Sequence, residues 1–150
     1  MPAAHEHAVK VLNSLIETTL DSAQGYEAAA EHTKAPQFKT MFSERSHKRM
    51  QLTRELQAEV RSFGGKPEDD QSLLGKVHNT FTGLKAAVAG RDDKAVINEV
   101  ERGEDVIKAK FEKAIKDDDL PNEARQALMR AYAEIKADHD EVSRIKHSLN

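Results

Sequence analysis

A chain of 150 residues has room for one domain with a real core and little room for two. Charged residues make up 33% and aromatics 5%, with seven Gly and four Pro, which favours long solvated helices and predicts an all-α protein. The net charge of −3, with Lys and Arg scattered among Asp and Glu, gives no basic face for nucleic acid or a membrane surface, and the lack of cysteine excludes disulfides, thiolate metal sites and cysteine nucleophiles.

The start, MPAAHEHAVKVLNSLIETTL, has neither a basic leader nor an unbroken apolar run, so the expected location is the cytoplasm. The first predicted helix runs from Ala4 to Thr33, with Val9, Leu12, Leu15, Ile16, Thr19, Ala23, Tyr26 and Ala30 on its inner face. Pro36 sits where a first-turn proline is tolerated, and a second helix follows through Phe38, Phe42, Leu52, Leu56, Val60 and Phe63 until Gly64 and Gly65 stop it. A polar stretch, KPEDDQ, leads to a shorter amphipathic helix carrying Leu73, Leu74, Val77, Phe81, Leu84 and Val88. After Gly90, Asp92 or Asp93 caps a helix that continues to Lys116, and Pro121 starts a last one reaching nearly to Asn150.

Connection lengths convert these elements into a topology. The first two helices are joined by a few residues, as are the last two, so each pair forms an antiparallel hairpin. About 28 residues, Gly64 to Arg91, separate the hairpins and can travel the length of the bundle. The expected fold is a single domain over residues 1–150: a four-helix bundle of ferritin-like connectivity, with a short fifth helix in the crossover.

Charges interrupt the inner stripes of the last two long helices. Val96, Val100, Ile107, Phe111 and Ala114 define one stripe, whose gap holds Glu104; Leu128, Ala131, Ile135, Val142, Ile145 and Leu149 define the other, whose gap holds Asp138 and His139. A carboxylate there must be paired, metal-bound or protonated, because an isolated buried charge is very costly. On the second helix Arg45 and Arg49 fall within about 20° of the apolar centre and at similar depth. The expected central layer is therefore Tyr26, Arg45, Arg49, Glu104, Asp138 and His139.

Two readings compete for that layer. In one, Glu104, Asp138 and His139 are metal ligands in the bundle centre, holding iron or manganese. Ferritin-like di-metal sites use Glu-x-x-His on two helices, and here Lys136 stands three residues before His139. The literal Glu44-x-x-His47 motif lies about 120° to 180° from the apolar centre and faces water. In the other reading, favoured here, the arginines pair with Glu104 and Asp138, since guanidinium groups match carboxylates and repel divalent cations.

The remaining candidates read as solvent-facing. His5 and His7 are about 200° apart and belong to a frayed terminus; His32, His78 and His147 fall on polar faces or edges; Glu17 and Asp21 lie roughly opposite the first helix's stripe. Gly25 and Gly103 mark close approach of another helix. Val11 and Ile97 lie off the stripes, free to meet the crossover or a partner. GGKPEDD lacks the spacing of a phosphate loop, and no serine elbow is present.

The segments LIETTLDSAQGYEAAAEH, LQAEVRSFGGKPED, ERGED (Glu101 to Asp105) and IKADHDEVSRIK together resemble the proteobacterial ferritin-like proteins of the domain-of-unknown-function 2383 class. The resemblance implies a ferritin-like bundle, a stress-related setting and, by position, Glu104 and His139 as the residues of interest; it implies no activity. The reading that results is a non-enzymatic cytoplasmic bundle protein acting through a protein partner or as a homo-oligomer, with a charged layer in place of a di-iron site. The alternative is a metal-binding ferritin-like oxidoreductase with a degenerate site at Glu104, Asp138 and His139.

Overall fold

The structure is a computed structural model that describes residues 2–69 and 92–149. It contains four helices, α1 (Ala3–His32), α2 (Pro36–Ser62), α3 (Asp93–Ile115) and α4 (Asn122–Ser148), and no strand among the described residues. The expected short crossover helix falls within residues 70–91, outside the described residues. No described helix is long and apolar enough to cross a membrane.

Helix ends follow from local chemistry. Pro36 opens α2, where a missing N–H is harmless. Asp92 caps α3 by accepting from the Lys94 amide at 3.0 Å. Asp93 does a different job, accepting from the amides of Lys34 and Ala35 at 3.1 Å each, so the start of α3 clamps the α1–α2 turn. At the opposite end Arg125 donates to the carbonyls of Ile115 and Asp117 and ties the α3–α4 turn. The glycine pair after α2 divides two requirements: Gly64 has φ +81°, and a Cβ on Gly65 would lie 2.5 Å from a Val9 methyl. Beyond it, Asn13 bonds the Lys66 carbonyl and the Glu68 amide, strapping the outgoing chain to α1.

Long-range contacts fix the directions. His7 meets Asp117 and Lys34 meets Asp93, so α1 and α3 are antiparallel. Arg45 meets Glu141 while Lys48 approaches Glu134, so α2 and α4 are antiparallel as well. The two hairpins therefore place α2 parallel to α3, the relation a long crossover demands.

The core is split. A large apolar cluster fills the end of the bundle built from Leu12, Ile16, Leu56, Val60, Phe111 and Leu128, and a smaller one at the other end contains Tyr26, Phe42, Val96, Ile97, Val100 and Val142. Ile97, expected at a free surface, is fully buried in the smaller cluster, and Val11 packs partly buried against the larger one. Charged side chains occupy the space between the clusters.

Candidate functional site

Every contact in the central layer begins with helical spacing. Arg45 and Arg49 are one turn apart on α2, Ser22 and Tyr26 one turn apart on α1, and Asp138 and Glu141 three residues apart on α4, so these three helices each present two groups on one face and α3 presents Glu104. Arg49 and Glu104 are fully buried, and Arg45 and Asp138 are nearly so, at 4% and 5% exposure.

Arg49 organises the layer. Its Nη1 lies 2.8 Å from Glu104 Oε1 and its Nη2 donates to Glu104 Oε2 at 2.9 Å, the fork that guanidinium and carboxylate geometry favours. Nη1 also donates to Ser22 Oγ at 2.7 Å and Nη2 to Asp138 Oδ2 at 3.2 Å. Three of the five N–H donors are thus hydrogen-bonded, the Nη1–Oε1 approach is a charge contact, and Nε is buried with no partner. Burial alone would lower the Arg49 pKa, but the neighbouring Glu104 outweighs it and the pKa is raised, so the cation is permanent.

Tyr26 closes the network from α1. Its hydroxyl donates to Glu104 Oε1 at 2.6 Å and accepts from Arg45 Nη1 at 3.3 Å. Burial, and then the Glu104 charge, hold the phenol pKa well above its ordinary value, which keeps the group a donor. The ring lies 5.5 Å and 5.4 Å from the Arg45 and Arg49 guanidinium carbons, within cation–π range.

Arg45 links the interior to the surface. Its Nε is 3.3 Å from Asp138 Oδ1 and its Nη2 donates to Glu141 Oε1 at 2.6 Å, while Lys48 Nζ approaches Asp138 Oδ1 at 3.6 Å. Ser22, Lys48 and Glu141 were not among the residues expected from sequence. Helical spacing was the available signal: Ser22 precedes Tyr26 by four, and Glu141 follows Asp138 by three.

The structure brings Tyr26, Arg45, Arg49, Glu104 and Asp138 together and leaves His139 out. His139 faces the outer seam of α3 and α4, its Nε2 2.6 Å from Asp105 Oδ1 and its Nδ1 3.2 Å from Asp140 Oδ1. A step of one residue turns about 100° around a helix, so Asp138 and His139 cannot share the inward direction. Burial pulls the His139 pKa down, but Asp140 and Asp105 pull harder and the net shift is upward. Glu104, Asp138 and His139 therefore do not converge, and among the described residues no three His, Cys, Asp or Glu side chains are placed to hold a metal ion. Glu44 and His47 are exposed on α2.

Three further expectations need correction. Asp21 is buried, because α1 is covered on all sides from Thr18 to Ala23 and not along one stripe alone. His5 packs its ring against Phe63 at 5.2 Å, and His7 Nε2 lies 2.7 Å from Asp117 Oδ2, so the two histidines pin the start of α1 to the ends of α2 and α3. The 200° between them is the angle that lets each reach a different neighbour.

Four helices in two antiparallel hairpins, with α2 parallel to α3, make the class a ferritin-like four-helix bundle. A Mycobacterium smegmatis Dps1 mutant superimposes on it with a TM-score of 0.83, covering 97% of this chain and 99% of that one at 10% identity, a likeness of fold. The chain belongs to the family described as domain of unknown function (DUF2383), which matches residues 7–117. Tyr26, Arg45, Arg49 and Glu104 lie within the matched region, whereas Asp138 and His139 lie beyond it. No curated protein matches the chain.

Proposed function

We propose that this is a non-enzymatic helical-bundle protein whose centre is neutralised by its own arginines, in the place where ferritin-like carboxylate proteins hold two metals. The observation that carries the reading is Arg49: wholly buried, forked on Glu104 and bonded to Asp138. A guanidinium with three hydrogen-bonded donors and a fourth close contact to Glu104 supplies the positive charge that a metal would bring to those carboxylates. A divalent cation entering there would have to displace it and would face Arg45 as well, so the donor set does not fit a di-iron or di-manganese site.

In this reading the layer specifies helix register. A buried ion-pair network need not stabilise a fold relative to an apolar core, but any slip of one helix leaves charges unpaired between the two clusters. The function is then exerted through the bundle surface, toward a protein partner or a second copy, in the cytoplasm expected from the sequence and the stress-related setting that the family resemblance suggests.

Elemental analysis tests the proposal. Protein produced with excess iron or manganese, then desalted, is expected to retain only substoichiometric metal. Stoichiometric metal that disappears in Glu104→Ala and His139→Ala would overturn it in favour of an oxidoreductase.

A further inference from the structure

Away from the central layer, α1 and α3 leave a groove of about 530 Å³ between them. Its size is that of an ordinary small-molecule site. The floor is apolar, made by Val11, Leu15 and Ala114, and the rim carries Lys10, Lys110 and Lys113. Ser14 on α1 and Ala114 on α3 keep the helices' facing surfaces low, which is why the space exists. The His7–Asp117 contact closes one end, and Lys110 Nζ, 3.3 Å from Thr18 Oγ1, marks the other. From His7 to Thr18 along α1 the groove is about 16 Å long at the helical rise.

The rim gathers three lysines around one apolar floor. Lys48, Lys108, Lys136 and Lys146 each approach a carboxylate on a neighbouring turn or helix. Lys10, Lys110 and Lys113 are exposed and have no carboxylate partner among the described residues, and the acidic residue on the lining, Asp117, is engaged by His7. Three lysines without a carboxylate contact among the described residues thus border an apolar trough in a protein whose net charge is −3. An inorganic phosphate would leave the floor uncovered, and a neutral apolar ligand would leave the lysines unused. A ligand with an extended apolar body and one anionic head satisfies both.

We propose that the α1–α3 groove binds a free amphipathic carboxylate of the fatty-acid type, its chain along Val11, Leu15 and Ala114 and its head between Lys110 and Lys113. The long stems of these lysines cover the chain while their ammonium groups reach the carboxylate. The site is separate from the Arg49 layer, so the two proposals stand or fall independently.

Calorimetric titration of the full chain with monomeric decanoate tests this, with decyltrimethylammonium as a cation on the same tail. Saturable one-to-one binding of decanoate is expected, weakened by about tenfold or more in both Lys110→Glu/Lys113→Glu and Val11→Glu, with no saturable binding of the cationic analogue. Circular-dichroism melts establish that both variants are folded before their titrations are compared. Absent decanoate binding, equal binding of the cation, or indifference to both variants would overturn the assignment. Two other results would do the same: a dimer in sedimentation that Val11→Glu dissociates gives the groove to a second copy, and flotation with phosphatidylglycerol vesicles lost in the lysine variant gives it to a membrane surface.

Discussion

Glu104 and Asp105 are neighbours on α3, Asp138 and His139 are neighbours on α4, and the two pairs meet opposite fates. The inner pair, Glu104 and Asp138, is sealed between two apolar clusters and tied to Arg49; the outer pair, Asp105 and His139, faces the seam, with Asp105 at 59% side-chain exposure. One residue of helix rotation separates a charge that must be matched from one that water can share. The inner contacts carry a desolvation penalty that only a partner offsets, whereas the outer contact is screened and weak. Perturbing each in turn should therefore give effects of different size.

The largest effect is expected at Arg49. Arg49→Ala leaves Glu104 and Asp138 facing one another without their shared cation, and urea unfolding should show a loss of about 3–5 kcal/mol. The hydrophobic replacement Arg49→Met/Glu104→Leu/Asp138→Leu removes the whole set, so it should recover most of that loss while broadening or multiplying the amide resonances, because the register device is gone. A single well-dispersed spectrum from that triple variant would remove the register role. Tyr26→Phe deletes one donor to Glu104 without opening a cavity, and should cost about 1.5–3 kcal/mol.

The outer pair should give the smallest change and the only one tied to neutral pH. His139 has a folded-state pKa raised above about 6.5, its unfolded value, so its contribution is fully present below about pH 6.5 and fades as pH rises through the folded-state value. Thermal melts of His139→Gln should therefore fall below the parent by about 0.5–1 kcal/mol at pH 6 and by less at pH 8. An equal deficit at both pH values would mean that the histidine acts through packing alone.

Much of this comparison is legible in the sequence. Apolar periodicity gave the four long helices within a residue or two of their ends, and interruption of the stripes pointed to Glu104, Asp138, Arg45 and Arg49. What periodicity missed has physical reasons. A gap two residues wide admits only one inward side chain, and Asp138 fills it, so stripe spacing alone overcounts His139 as inward. A one-stripe description of α1 put Asp21 in solvent, because it takes no account of neighbours on a helix's other side. The roles of His5, His7 and Asp93 depend on which helix ends meet, information that lies in the tertiary arrangement and not in local spacing. The groove lysines look like ordinary surface residues in sequence; only the antiparallel pairing of α1 with α3 sets them around one trough.

The central claim is that Arg49 and Glu104 are each other's buried counter-ion. A double-mutant cycle with Arg49→Met, Glu104→Gln and the combined variant, followed by urea unfolding, measures that coupling directly. The structure predicts strongly non-additive losses, with a coupling energy of about 2–3 kcal/mol and a double variant more stable than the sum of the singles implies. Additive losses, within about 0.5 kcal/mol, would contradict the pairing on which the account of this layer rests.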